Sequence, residues 1–355
     1  MKFKNIFLIL ALSLAFTACN NSKDMANNDN KVTSDENATK VNDKEEKSTI
    51  YASFYPIYNL TKQIAGDKFE VKSFTNLKTE SHDWEPSAKD MAEVSKAKLM
   101  FINGAGMEEW EDSLKNSSDI ELVNTSKDIE FIKASEEDDH DHEHEDADHD
   151  HDHDHEDADH DHDEDHDHED ANEEEHHHHH GEYDPHLWLS PKNAISQAKV
   201  IAEKLSEIDP TNKDYYMDNF NKIEDELEAL IAEYKEKFDG CENKNFLVNH
   251  KAFSYLAKDF SLNQIALTSL TSTEETDAKT LKEASLKAKE LNIKTIFYEM
   301  GSSDKNAKTL ADEIGADTKP LNTLELATDE NIKNDTTYQE LVRENLEAIY
   351  QSLVK

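Results

Sequence analysis

Residues 246–267 read FLVNHKAFSYLAKDFSLNQIAL. FLVNH reads as a short strand, KAFSYLAKDF as a helix and NQIAL as the next strand. The unit continues downstream with a helix over DAKTLKEASLKAKELN, a strand over IKTIFYE, a helix over DKNAKTLADEIG and a C-terminal helix over TTYQELVRENLEAIYQSLV. Upstream the same alternation begins at Ser48. STIYASFY is a β-rich run, and Pro56 opens the helix IYNLTKQIAGD, which closes near Gly66. The series FEVKSF, SAKDMAEVSKA, KLMFING, MEEWEDSLKN and IELVNTS follows as strand, helix, strand, helix, strand. Strands alternating with helices of this length indicate parallel α/β architecture.

Between the two series lie two longer helical stretches. HLWLSPKNAISQAKVIAEKLSEIDP reads as a capped amphipathic helix. From Asn212 to Phe238, Tyr216, Phe220, Ile223, Leu227, Leu230 and Tyr234 recur at spacings of three and four, which predicts one helix roughly 40 Å long. The expected organisation is therefore two α/β lobes, 48–210 and 241–355, joined by a helix at 211–240.

The chain has 355 residues, with 80 acidic and 38 basic side chains and a formal charge of −42. Residues 136–180 alone hold 16 His and 25 Asp or Glu, with no Lys or Arg. The remainder carries 55 acids and 38 bases, a net −17 that is ordinary for a soluble protein. Nucleic acid is an unfavourable partner, because a phosphate backbone would be repelled. After residue 18 no apolar run approaches the ~20 residues that span a bilayer, which excludes a polytopic membrane protein.

The first residues, MKFKNIFLILALSLAFTAC, combine Lys2 and Lys4, an apolar stretch from Ile6 to Phe16 and the small-residue site Thr17-Ala18. Residues 1–18 read as a secretory signal. Cys19 directly after it resembles a bacterial lipobox, although Phe16 stands where such boxes usually carry an aliphatic residue. The resemblance implies cleavage before Cys19 and lipid attached to its thiol. The only other cysteine is Cys241, so no intramolecular disulfide is expected. Residues 19–47 hold almost nothing that can form a core and read as a solvated tether.

Within 136–180 the phrase HEDADHDHD starts at His144 and again at His155, and the segment closes with five consecutive histidines. A bare carboxylate run would be a solvated linker. Neutral imidazoles, however, ligate Zn, Cu and Ni well. The sixteen are His140, His142, His144, His149, His151, His153, His155, His160, His162, His166, His168, His176, His177, His178, His179 and His180. Such a segment cannot build a core and is expected to be disordered when metal-free, holding ions weakly for capture, buffering or sensing.

Outside the insert only His82, His186 and His250 remain. His82 lies in TESHDWEPSAKD beyond the strand FEVKSF, His186 lies in YDPHLWLSP before a helix, and His250 ends the strand FLVNH. Glu299 ends the strand IKTIFYE in the same manner. Open α/β sheets bind ligands at the carboxyl ends of their strands. Three imidazoles and one carboxylate form a tetrahedral N3O set suited to Zn²⁺. Water or Glu80 are alternatives for the fourth position.

HDWEPS at 82–87, DPHLWLSP at 184–191, NHKAFSYLAKDF at 249–260 and FYE at 297–299 together resemble the metal-specific cluster A-I family, the solute-binding lipoproteins of bacterial ABC importers. The similarity covers about residues 48–355, and the His-rich insert is a mark of its zinc type. The resemblance implies an α/β fold of two (β/α) lobes bridged by a long rigid helix, with the metal in the cleft between the lobes. It places the ligands on His82, His186, His250 and Glu299. It further implies Zn²⁺ as transported ligand, a permease and a separate ATPase as partners, a monomeric receptor, and a site on the outer face of the cell membrane. Manganese members carry a carboxylate where this chain has His250, and an imidazole-rich set favours zinc. Trp110 is expected in the core, with Trp84 and Trp188 shielding the cleft.

Competing expectations are a receptor for manganese or another divalent metal, a surface zinc-buffering or adhesin lipoprotein without transport, and a secreted zinc hydrolase. The chain contains no H-E-x-x-H, no G-x-S-x-G and no Walker-type loop, so a receptor is favoured over an enzyme.

Overall fold

Two four-stranded parallel sheets carry the structure, and the helices between strands cover both faces of each. The computed structural model describes residues 47–78, 80–82, 84–134, 182–268 and 278–355. The signal segment, nearly all of the tether, the insert 136–180 and most of the polar stretch at 271–280 lie outside the described residues.

The first lobe contains β1 (Thr49–Ala52), α1 (Tyr55–Ala65), β2 (Glu70–Ser73), α2 (Ala88–Val94), β3 (Leu99–Ile102), α3 (Glu111–Ser117), β4 (Glu121–Asn124) and α4 (Pro191–Ile208). Its strands lie in the order β2-β1-β3-β4, all parallel. After α5 (Lys213–Asp239) come β5 (Asn245–His250), α6 (Ser254–Phe260), β6 (Asn263–Thr268), α7 (Ala278–Glu290), β7 (Thr295–Glu299), α8 (Lys305–Ile314), β8 (Asp317–Leu321), α9 (Asp329–Asn334) and α10 (Tyr338–Leu353). The second sheet repeats the first arrangement, in the order β6-β5-β7-β8. In each sheet the chain crosses to the other side of its first strand after the second one. The crevice therefore opens at the carboxyl ends between β1 and β3, and between β5 and β7.

Local chemistry explains the element ends. Pro56 stands in the first turn of α1, where its missing N–H is not needed. Gly66 ends α1 at φ +53°, and a Cβ there would lie 2.0 Å from the Tyr215 hydroxyl. Ser87 and Asp90 form a capping box at the start of α2, and Thr337 with Glu340 does the same for α10. Helix α6 begins three residues later than the sequence suggests, at Ser254, because Lys251 to Phe253 turn away from the strand end first.

Alternate residues of the central strands point to opposite faces, and both faces are buried, as parallel sheets require. Ile50, Ala52, Leu99 and Phe101 join one apolar cluster, while Tyr51, Met100 and Ile102 join another with Trp110. In the second sheet Phe246, Val248, Phe297 and Leu321 share the first cluster, whereas Leu247 and Ile296 join a third under α7 and α8. The largest cluster is thus continuous from lobe to lobe.

Helix α5 runs through it, burying Tyr216, Phe220, Ile223, Leu227, Leu230, Tyr234 and Phe238. It packs on α1 and α4 of the first lobe and on α6 and α10 of the second. Burying each such side chain contributes about 1.5–3 kcal/mol before entropy, so Leu227→Ala would cost about 2–5 kcal/mol. Among the described residues no helix is long and apolar enough to cross a membrane.

Candidate metal centre

Three imidazoles from three separate connections meet in the cleft. His186 and its flanking turn precede a short 3-10 turn, Leu187–Leu189, whose end is capped by Ser190 at the start of α4. His186 is fully buried, and His250 at the end of β5 is 8% exposed. His82 lies in the connection from β2 to α2, its side chain 15% exposed. One ligand atom from each of these histidines lies within 4.8 Å of the other two. His82 Nε2 and His186 Nε2 face each other at 3.0 Å. With Zn–N bonds of roughly 2.0–2.1 Å, tetrahedral ligands stand about 3.4 Å apart, so this cluster has the dimensions of a zinc site.

Carboxylates surround the rings, each with a different role. Asp184 Oδ1 accepts the backbone N–H of His186 at 3.0 Å and lies 2.8 Å from its Nδ1. A carboxylate behind the ring fixes the tautomer and leaves Nε2 free to bind an ion. Tyr255 of α6 donates its hydroxyl to the Asp184 carbonyl at 2.9 Å and accepts the Ile132 N–H at 2.9 Å. The second lobe thereby clamps the turn that carries His186. Burial holds His186 below the ordinary histidine range, outweighing the Asp184 charge, so the ring is kept neutral.

Glu299, one strand over from His250, places Oε2 3.3 Å from His250 Nδ1 and accepts the Thr323 hydroxyl on Oε1 at 2.7 Å. Burial alone would raise its pKa. The hydrogen bond and charge of His250, together with Thr323, prevail and hold it below the usual carboxylate range. Glu80 accepts the Ser302 hydroxyl at 3.0 Å, and burial with the nearby charge of Glu299 raises its pKa.

Sequence reasoning missed Glu325, which is 1% exposed. Its Oε2 accepts the Ser81 N–H at 3.1 Å, and its Oε1 lies 3.5 Å from His82 Nε2. Burial pushes its pKa up to about 7, with the charge of Glu299 adding to the shift. Glu325 belongs to the run after β8, a strand also missed. Pro320 weakens the sequence signal there and is tolerated because β8 is an edge strand. Asp184 did carry a signal, standing two residues before His186 in YDPH.

A deeper polar network supports the His186 turn. Glu108 accepts the N–H groups of Asn103 and Gly104 at 2.7 and 2.9 Å. Asn103 Nδ2 donates to the Pro185 carbonyl at 3.0 Å, and Gln197 donates to Asn103 Oδ1 at 2.9 Å. Behind His186, Trp188 is fully buried and donates its indole N–H to the Thr323 carbonyl at 2.7 Å. Trp110 packs in the first-lobe satellite cluster as expected. Trp84 stacks edge-on against Phe74 of that cluster at 5.0 Å. Cys19 and the sixteen histidines of the insert lie outside the described residues. Cys241 is a buried free thiol.

The family described as zinc-uptake complex component A, periplasmic, matches residues 50–352. The high-affinity zinc uptake system protein ZnuA of Bacillus subtilis is 35% identical over 356 residues, covering 99% of this chain and 98% of that protein. The zinc-binding lipoprotein AdcA of Streptococcus pneumoniae is 32% identical over 86% of this chain and 56% of its own length. Among solved structures, the Zn(II)-bound ZnuA-like domain of Streptococcus pneumoniae AdcA superposes with a TM-score of 0.67 and 29% identity. That match covers 87% of this chain and all of the domain.

Proposed function

Because the chain belongs to the periplasmic zinc-uptake component A family, we propose that it is an extracytoplasmic zinc receptor that hands Zn²⁺ to an ABC importer. The observation that carries the reading is the meeting of His82 with the buried His186 and His250 at zinc-site dimensions. Glu299, whose Oε2 lies 3.3 Å from His250 Nδ1, is the fourth ligand in this reading, with Glu80 or water as the alternative. Three neutral nitrogens with one carboxylate favour zinc over the harder, oxygen-seeking manganese.

In this reading the protein does no bond-making chemistry. With Glu299 as the fourth ligand no open position remains for an activated water, which a zinc hydrolase needs. The partners are a permease and its ATPase. The receptor acts as a monomer, tethered through lipid on Cys19 and residues 19–47, with the linking segment at 211–240 as the frame between lobes. The insert 136–180 captures zinc weakly and raises its concentration near the cleft.

Zinc titration of the mature protein beside a form lacking 136–180, with metal counted after dialysis, tests the reading. One tightly retained zinc in both, with further weak sites only in the intact form, is the expected result. A deletion form that retains no zinc removes the cleft site, and His186→Ala or His250→Ala with parental affinity does the same. Growth under zinc limitation separates a receptor from a buffer, because only a receptor fails to feed the cell when His186 is lost.

A further inference from the structure

His186 stands at the apex of a three-residue turn. Its φ of −76° and ψ of 41° lie outside the helical and extended regions, and the Leu187 N–H closes back onto the Pro185 carbonyl at 2.8 Å. This is an inverse γ-turn. The peptide plane between Pro185 and His186 therefore sets the direction in which the imidazole leaves the backbone. One edge of that plane is held locally, where the His186 N–H donates to Asp184 Oδ1 at 3.0 Å. The other edge is the Pro185 carbonyl. Besides Leu187, it accepts Asn103 Nδ2 at 3.0 Å, from a residue 82 positions earlier in the chain.

Asn103 follows β3 directly, at the carboxyl end of the first sheet, and is fully buried. Its amide is held on both sides. Nδ2 also donates to the Gly104 carbonyl at 3.0 Å, and Oδ1 accepts Gln197 Nε2 at 2.9 Å. Gln197, buried on α4, is itself tied to Thr125 Oγ1 at 3.1 Å. The Asn103 backbone is fixed as well, because Glu108 Oε1 accepts its N–H at 2.7 Å and Oε2 accepts that of Gly104 at 2.9 Å. Glu108 can reach back because Gly104, Ala105 and Gly106 all stand at positive φ and turn the chain sharply. A buried amide whose donors and acceptor are all engaged has one orientation. None of these partners belongs to the histidine cluster, so the first lobe alone aims Asn103 at the Pro185 carbonyl.

We propose that Asn103 is a positioning residue for the cleft ion: by gripping the Pro185 carbonyl it locks the turn that aims His186, and so sets how tightly the ion is retained. The proposal rests on the zinc-receptor reading. Asn103 supplies no ligand atom and acts through the backbone of Pro185. Without its amide the peptide plane is held from outside the turn on one edge only, by Asp184, and the imidazole can rock away from the other two.

Asn103→Ala and Leu205→Ala are compared with the parent, as the full mature chain. Three measurements are made: zinc affinity by chelator competition, thermal melting of the metal-free protein, and hydrogen exchange at Leu187 relative to the amides of α5. Leu205 is the control for stability. It is fully buried in the last turn of α4, roughly 22 Å along that helix from Ser190. N103A should bind zinc about tenfold more weakly, the lower end of the range for residues that orient a ligand. Its exchange should rise at Leu187 by more than it rises in α5. L205A should melt at a lower temperature, keep zinc affinity within about twofold of the parent, and raise exchange at Leu187 and α5 together.

Affinity in N103A within about twofold of the parent overturns the proposal. So does an equal loss of affinity in N103A and L205A, which would make fold stability the cause. Exchange at Leu187 that rises no more than in α5 overturns it as well. If N103A does not fold, Gln197→Met carries the test. That change roughly conserves volume and leaves Asn103 in place, but removes the donor to its Oδ1. Weaker zinc binding is then expected, and parental affinity is the refuting result. A parent that retains no zinc would refute the receptor reading itself, whereas a zinc-tight parent with a zinc-tight N103A refutes only the role of Asn103.

Discussion

Replacing Asp184 with alanine removes the carboxylate behind His186 without touching an ion-facing nitrogen. In the intact protein Asp184 Oδ1 accepts the His186 backbone N–H at 3.0 Å and lies 2.8 Å from Nδ1. Both groups are buried, so solvent cannot replace the lost partner. A hydrogen bond to a charged group contributes about 1.5–3 kcal/mol. At 1.4 kcal/mol per factor of ten, zinc affinity should fall about 10- to 150-fold in D184A. Asp184→Asn keeps an oxygen at the Oδ1 position and loses only the charge, so it should lie between D184A and the parent. Chelator competition at neutral pH reads both, with thermal melting of the metal-free forms as the control for folding. Affinity in D184A within about twofold of the parent, with the fold intact, would refute the idea that this carboxylate tunes the ligand.

Three further outcomes are expected. Tyr255→Phe strips the hydroxyl that joins the Asp184 carbonyl to the Ile132 N–H, leaving two backbone groups unpaired. Urea unfolding should show a loss of about 1–3 kcal/mol, and an unchanged midpoint would mean water fills the gap. His186 is held neutral by burial, so protons compete with zinc there only below the ordinary histidine range. Cleft zinc should survive acidification to about pH 6.5 and be released below it, and loss of the tight ion at higher pH would contradict the geometry.

Glu108 illustrates the opposite sign. Burial raises its folded pKa from 4.5 to about 7, so the folded state takes up a proton that the unfolded chain refuses in that window. The stability this supplies is present below the unfolded value and is lost as pH rises through about 7. Glu108→Gln should therefore flatten the decline in stability of the metal-free protein between about pH 6 and 8. An equal decline in parent and E108Q would show that Glu108 stays ionised.

The fold was legible wherever periodicity was strong. The stripe from Tyr216 to Tyr234 gave α5 almost to its ends, since its six side chains, together with Phe238, are buried and leave little freedom of register. β8 and α9 were not legible. β8 is a polar edge strand containing Pro320, and α9 is six residues long and held mainly by its Thr328 capping box. Of the site, the histidines stood out because only three remained outside the insert, each near a strand end. Their partners did not stand out. Glu325, Tyr255 and Thr323 act through contacts 70 or more positions away from the groups they touch, or between strands whose neighbours only the sheet order reveals. A single carboxylate in an acid-rich chain carries no signal until packing buries it.

The apolar cluster that passes unbroken from β1 and β3, along α5, to β5, β7 and α10 also bears on how this protein can be used. Two halves that share one interior cannot be separated and expected to fold apart. A split version, or a truncation at 240, would expose the matching apolar faces of α5 and α10 and should aggregate. A biosensor that relies on whole lobes swinging together would have little travel to report, because such a swing would tear that interior open. A fluorophore belongs instead at the exposed Lys78, on the connection from β2 to α2 that carries His82.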